Sequence, residues 1–322
     1  MKVSVCVPIY GVEKYIERCA RSLFEQTMKD DIEFIFVNDC TPDRSEQILL
    51  AVLEDYPQRK NQVKILHHAE NQGLTGARST ALNAACGDYI IHCDSDDWVD
   101  PALYETMYRT AVERQADVVC CAITLENSTK SSRRIQLAGK SVDDLFFDFF
   151  NTVAFNSLCN KMFSGKIARD AETIIPKHMI MAEDLLLTTQ MLLKCRNIAL
   201  CNDVSYHYFR GNSASATANF SLSSFESQRK VINILLKVLP GKYDSIAEAC
   251  KGQLLFSALR ISEITGEDFY GLYPSKVLHR VLFNRHLAFC KRTILSLSVI
   301  SFSLARFCCR VLIFLAQKMH MK

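Results

Sequence analysis

"GDYIIHCDSDDWVDP", Gly87–Pro101, is the stretch whose reading decides the rest of the chain. Its first part is a short apolar run. Its second part packs four carboxylates, Asp94, Asp96, Asp97 and Asp100, into seven residues. An Asp-rich turn capping a helix is one explanation, and a strand that ends in a ligand site is the other. In extended chain, residues two apart point the same way, so Asp94 and Asp96 face one ligand together. Two carboxylates alone repel an anionic substrate such as a diphosphate, and a divalent cation between them reverses that sign. Mg2+ or Mn2+ suits such oxygen donors; Mg2+ is typically held by one or two carboxylates, with phosphate oxygens and water completing its shell. Asp100, with Pro101 after it at the expected first helical position, reads as the cap of the next helix. Asp97 is left without a role.

Outward from this stretch, apolar strands alternate with amphipathic helices. "VSVCVPIY", "IEFIFVND", "VKILHH", "DYIIHCD" and "ADVVCCAIT" read as strands. Between them lie "VEKYIERCARSLFEQT", with Tyr15, Ile16, Cys19, Leu23 and Phe24 at helical spacing, then "SEQILLAVLEDY" with Ser45 as its cap, "LTGARSTALNAAC" and "PALYETMYRTAVERQ". Strands apolar almost throughout, joined by helices, predict an α/β fold with a mostly parallel sheet covered on both faces. Ligands of such sheets gather beyond the carboxyl ends of the strands. There the sequence places "PIYG", "VNDCTPD", "HHAENQG" and "CDSDD".

The 322 residues are 49% hydrophobic and 23% charged, with a net charge of +3. That is enough apolar material for a sizeable core, and too little basic charge, without interleaved aromatics, for a nucleic-acid binder. The 14 cysteines form no CxxC pair, and several lie inside strands, which fits a reducing compartment. The N-terminus reads as a first strand rather than a signal peptide, so the expected location is cytoplasmic. Three regions are expected: residues 1–219 as the α/β domain, 220–290 as a helical C-terminal region, and 291–322 as an amphipathic tail. In the tail, "RTILSLSVISFSLARFCCRVLIFLAQK", Ser303, Arg306, Arg310 and Gln317 share one stripe of an otherwise apolar helix. The uncharged run before Arg306 is short for a span. The pattern suits a helix in the interface at the inner face of the cytoplasmic membrane, with Lys291 and Arg292 near anionic headgroups. A terminal helix packed on the protein is the other reading.

The order "VPIYG … VNDCTPD … ENQGLTGAR … GDYIIHCDSDDW … AEDLLL" resembles the family-2 glycosyltransferases over roughly Val3 to Asn219. The resemblance implies the GT-A fold, a Rossmann-like nucleotide-diphospho-sugar transferase fold, with a nucleotide-sugar donor, commonly a UDP-sugar, and Mg2+ or Mn2+. It implies that Pro8 and Tyr10 pack on the base and that Asp39 bonds uracil or ribose. Asp94 would meet the ribose and Asp96 the metal. Asn71, Gly73 and Arg78 match an "NxGxxxAR" segment; Arg78 would face the donor phosphates or pair with a nearby carboxylate. Glu13 lies by the nucleotide or is a first-turn helix acid. In "SYHYFRGNSASAT", His207 is a candidate second metal ligand and Arg210 a candidate diphosphate contact, with a Ser/Ala-rich loop after them that could close over the donor. Asp184 of "AED" matches the catalytic base, Glu183 being the poorer choice. One base serves direct displacement with inversion at the anomeric carbon. The acceptor implied is a glycan or lipid-linked glycan in cell-surface polysaccharide synthesis.

Two departures stand out: Gly11 where the family often has Asn, and "DCTPD" where a Gly-Ser form is commoner after Asp39. Three rival activities compete with this reading. A nucleotidyltransferase would want a Gly-rich basic loop after the first strand, which "PIYGVEKY" lacks. A polyprenyl-phosphate glycosyltransferase needs no base, against "AED". A non-catalytic nucleotide-sugar-binding protein would need neither Asp96 nor Asp184.

Overall fold

The computed structural model describes residues 1–127, 132–139, 141–147, 156–170, 179–212 and 219–320. Among them nine strands form one sheet: β1 (Val3–Ile9), β2 (Ile32–Asn38), β3 (Val63–His67), β4 (Tyr89–His92), β5 (Trp98–Val99), β6 (Val118–Glu126), β7 (Ser132–Ile135), β8 (Lys161–Ser164) and β9 (Ile198–Phe209). Their order is β3-β2-β1-β4-β8-β6-β9-β5, with β7 on β6. The first four strands are parallel, as alternation with helices predicts. All seven residues of β1 are buried. Successive side chains point to opposite faces, so both faces of the sheet are covered there.

The second half of the sheet is mixed rather than parallel. Strand β8 runs antiparallel between β4 and β6, whereas β6 and β9 are parallel to one another. A four-residue strand beginning with a lysine gives no periodic signal. Lys161 is wholly buried and donates to Ser157 O at 2.7 Å and Asn160 Oδ1 at 2.8 Å.

Helices α1 (Ile16–Phe24), α2 (Ser45–Glu54), α3 (Gly73–Ala84) and α4 (Leu103–Arg114) fall where the periodicity puts them. Helix α1 buries Ile16, Cys19, Leu23 and Phe24, the expected stripe. Two caps differ. Ser45 is the first helical residue rather than the cap, and Asp43 Oδ1 accepts from its N–H at 3.1 Å. Asp100 does not cap α4, which starts three residues later without a side-chain cap. Its carboxylate instead accepts from Ser205 N at 2.7 Å and lies 2.8 Å from His207 Nε2, so it ties the acidic loop to β9. Helices α5 (Val142–Phe147), α6 (Gly165–Asp170) and α7 (Glu183–Leu192) follow.

The C-terminal region is helical, as expected: α8 (Leu222–Val238), α9 (Asp244–Ala258), α10 (Gly266–Gly271), α11 (Ser275–Leu282), α12 (Phe289–Leu297) and α13 (Phe302–His320). Its helix starts are chemically marked. Ser221 accepts from Ser224 N at the start of α8, and Thr265 with Asp268 forms a capping box at α10.

Glu33 is a buried tie across the parallel half. It accepts from Ser4 Oγ (2.5 Å), Lys64 Nζ (2.7 Å) and Cys86 N (2.9 Å). Burial alone would raise its pKa; Lys64, Ser4 and Cys86 outweigh that and pull it from 4.5 to about 2. A carboxylate depressed on folding stabilises above its unfolded pKa and loses that contribution as pH falls toward the folded value. The melting temperature should therefore fall less between pH 5 and pH 3 in Glu33→Gln than in the parent. Equal falls in a pH series of thermal melts would contradict this role.

Candidate active site

A buried guanidinium gathers the carboxylates after β4 and at the start of α7. Arg78 projects from α3 with its side chain 3% exposed. Its Nη2 donates to Asp94 Oδ1 at 2.8 Å, and its Nη1 reaches Glu183 Oε1 at 3.1 Å and also bonds Asp184. One cation thus joins the end of β4 to the start of α7. Of the two roles open to Arg78, the structure shows the ion pair. Burial by itself would lower the Arg78 pKa, but Asp184, Asp94 and Glu183 hold it well above its ordinary value.

The charges do not balance: three carboxylates face one guanidinium. Burial and the Asp184 charge push Glu183 up to about 7, Arg78 opposing. Burial also raises Asp184, with Arg78 pulling the other way. Asp184 lies in the first turn of α7, where helix N-termini favour negative charge. Leu158 N lies 3.5 Å from its other oxygen.

The four aspartates of the opening stretch separate. Asp97 is fully buried and accepts from Tyr206 OH at 2.5 Å and Phe209 N at 2.7 Å. Burial, with the Asp96 and Asp94 charges beside it, lifts its pKa well above the carboxylate range. It is a structural anchor for the loop. Asp96 accepts from Asn212 Nδ2 at 2.8 Å, and its carbonyl accepts from Arg18 Nη2 at 2.8 Å. The Arg18 guanidinium lies over Trp98, 3.7 Å from the ring centre, and Trp98 stacks on His207 at 5.2 Å. Both ring nitrogens of His207 are engaged, by Asp100 and Glu126 at 2.8 Å each. His207, expected as a metal ligand beside Asp96, thus ties the acidic loop to β6 and β9 through both nitrogens.

Among the described residues no group of three or more His, Cys, Asp or Glu is placed to hold a metal unaided. The oxygen donors present are Asp96 and its neighbour Asp94, whose charge adds to burial in raising the Asp96 pKa. These two oxygen donors fit Mg2+ or Mn2+ in the mode where substrate phosphates and water complete the shell.

The nucleotide-side candidates line the other strand ends. Asp39 follows β2, is 2% exposed, and takes His68 Nδ1 (2.6 Å) and Gln72 N (2.8 Å) on Oδ1. Asn71 Oδ1 accepts from Gly73 N at 3.0 Å, shaping the turn into α3. Pro8 is buried in β1 and Tyr10 beyond it is 52% exposed. Glu13 precedes α1 rather than lying in its first turn, and pairs with Arg44 at 3.6 Å. Arg210 is exposed at the end of β9, its N–H on Glu126 O at 2.8 Å. Most of the Ser/Ala-rich loop after it, residues 213–218, lies outside the described residues. The two departures now have a physical reading. Gly11 has φ +66°, a conformation Asn also tolerates, and Cys40 has φ +56°, where glycine is the unstrained choice. Arg18, Tyr206 and Asn212 were not foreseen. Arg18 reads as one more charge on an amphipathic helix, and Tyr206 as a strand aromatic; only the loop they brace gives them a role.

The sequence profile of glycosyl transferase family 2 matches residues 4–171. The chain belongs to this family. It is 43% identical over 128 residues to the uncharacterized glycosyltransferase EpsJ of Bacillus subtilis, covering 40% of this chain and 36% of that protein. It is 29% identical over 210 residues to the poly(ribitol-phosphate) beta-glucosyltransferase of Bacillus spizizenii, covering 65% of this chain and 32% of that one. The chain thus spans about a third of the length of these relatives. In structure it is similar to residues 1–349 of Staphylococcus aureus TarS in complex with UDP-GlcNAc, with TM-score 0.70, 20% identity, and 96% and 91% of the two chains covered. The mannosyltransferase PcManGT of Pyrobaculum calidifontis, solved with GDP-Man and Mn2+, matches at TM-score 0.56 and 14% identity, covering 96% of this chain and 86% of that one. The fold is therefore GT-A, with a mixed sheet and a helical C-terminal region.

The charge imbalance has a pH signature. An acid whose pKa rises on folding costs stability as pH climbs from its unfolded to its folded value. For Glu183 that window runs from 4.5 to about 7. Glu183→Gln should gain on the parent by up to about 3 kcal/mol in urea unfolding between pH 4.5 and pH 8. A constant difference across that range would show that the Glu183 pKa does not rise on folding.

Proposed function

We propose that the chain is an inverting, metal-dependent glycosyltransferase that moves a sugar from a UDP-sugar to a hydroxyl of a glycan or lipid-linked glycan, in cell-surface polysaccharide synthesis on the cytoplasmic side. The observation that carries this reading is the Arg78 cluster, which holds a donor-side carboxylate, Asp94, and a candidate base, Asp184, on one cation. A nucleotide-sugar-binding protein without catalysis would have no use for the second. The names of the relatives, poly(ribitol-phosphate) transferases among them, agree with a polymeric acceptor.

In this reading Pro8, Tyr10 and Asp39 seat the nucleoside, with Asn71 shaping the adjoining turn and Glu13 at its rim. Asp94 meets the ribose. Asp96 would hold Mg2+ or Mn2+, which when bound supplies positive charge to the diphosphate leaving group. Arg210 stands at the end of β9 as a diphosphate contact. The Asp184 carboxylate takes the acceptor hydroxyl proton as that oxygen bonds to the anomeric carbon and the bond to the departing diphosphate oxygen breaks, inverting the centre. Arg78 opposes the burial that would protonate Asp184, so it is a positioning residue. A polyprenyl-phosphate acceptor, already ionised, would make the base redundant.

Thermal shift against UDP-, GDP- and dTDP-sugars with Mn2+ tests the donor. A UDP-sugar at about 100 times its Kd should add about 2.7 kcal/mol of stability, and chelation should remove most of it. Asp39→Ala should abolish the shift. Asp184→Asn should keep it while slowing sugar transfer by about a hundredfold or more. Full transfer by Asp184→Asn would place the base elsewhere; the absence of any shift would leave the donor site without support.

A further inference from the structure

The last 54 residues, Phe269–Lys322, contain nine Lys and Arg and no Asp or Glu. The whole chain holds 38 basic and 35 acidic residues, so everything before Phe269 is net acidic and the positive charge is segregated at one end. Helix α13 lies within this basic segment and has two apolar stripes. One packs inward: Ala305 and Cys309 are wholly buried, and the Phe302 ring sits 5.3 Å from Phe269. Arg306 folds back to the Ile264 carbonyl. The other stripe is Leu304, Phe307, Val311 and Phe314, spaced three, four and three apart on one edge of the helix. All four are exposed, Phe307 at 66% and Phe314 at 55%. The turn that feeds the helix adds Ile300, 80% exposed. Arg310, exposed, borders the stripe on its polar side.

A stripe already satisfied by packing would not need a second apolar edge open to water. A second copy of the same face would bring like charges together. Nucleic acid would use the arginines but not Ile300, Phe307 and Phe314. Among the described residues no helix is long and apolar enough to cross a membrane.

We propose that this edge of α13, with the turn before it, is a docking surface for an anionic phospholipid bilayer. The apolar stripe enters the acyl boundary while Arg310, exposed beside it, meets the headgroups. The helix stays packed on the protein by its inner stripe, so the two readings of the tail, packed and membrane-facing, hold on opposite sides of one helix. The surface is independent of the sugar-transfer chemistry, although it would bring a lipid-linked acceptor to the enzyme.

Flotation of the full chain with phosphatidylcholine vesicles, with and without phosphatidylglycerol, tests this. The parent should float with the anionic vesicles and lose most binding in high salt or on neutral vesicles. The double variant Ile300→Asp, Phe307→Asp should lose binding by about tenfold or more with an unchanged melting temperature, because both side chains are mostly exposed. Arg310→Glu should weaken binding to anionic vesicles only. Equal flotation of parent and double variant would overturn the proposal. So would a failure of the parent to float, whether accompanied by self-association that the double variant abolishes or by RNA binding that it retains. A donor-induced thermal shift, measured on the same variants, is unmoved in each case, so failure here is separable from failure of the glycosyltransferase reading.

Discussion

One buried cation facing three carboxylates is the constraint on which the site depends. Taking Arg78 out of water is costly, and only good geometry with several hydrogen bonds offsets that cost. The guanidinium fork supplies the geometry, since its two terminal nitrogens can reach Asp94 on one side and Glu183 and Asp184 on the other. The cluster thereby fixes the distance between the end of β4 and the start of α7, two elements separated by about ninety residues of chain. The remaining negative charge and burial raise the pKa of both Glu183 and Asp184, with Arg78 opposing each shift.

The acidic loop follows the same logic. Its carboxylates look alike in the sequence but meet different surroundings. Asp94 is held by Arg78, Asp96 accepts from Asn212, Asp97 is an interior anchor and Asp100 is a tie to β9. The partners that separate them come largely from β9 and α1: Tyr206, Phe209, His207 and Arg18. The stack of Arg18 on Trp98 and Trp98 on His207 makes the loop a braced strut, and so sets where Asp96 sits.

What was legible in the sequence had short-range physical causes. The apolar runs of β1 to β4 and the stripe of α1 follow from periodicity, and motif order marks Asp94 and Asp184, which the structure brings together on Arg78. What was not legible depends on partners far along the chain. Asp100 before Pro101 satisfies every local rule for a cap, yet β9 offers its carboxylate two donors and the helix starts later. His207 has the chemistry of a metal ligand, but two carboxylates take both of its nitrogens. Strand β8 is too short for its antiparallel direction to show, and Arg78 could be placed only once its three partners were in space. In the C-terminal region the amphipathic tail was visible, but two apolar stripes on one helix look the same as a single broad one until the packing of Ala305 and Cys309 divides them.

The central claim is that Arg78 is needed because of the three carboxylates it faces. Urea unfolding at pH 7 measures this directly, comparing Arg78→Met in the parent with Arg78→Met in a background carrying Asp94→Asn, Glu183→Gln and Asp184→Asn. Breaking a buried ion pair from one side typically costs about 3–5 kcal/mol. The account predicts a loss of that size in the parent and a loss smaller by about 2 kcal/mol or more in the neutralised background. Equal losses in the two backgrounds would contradict it.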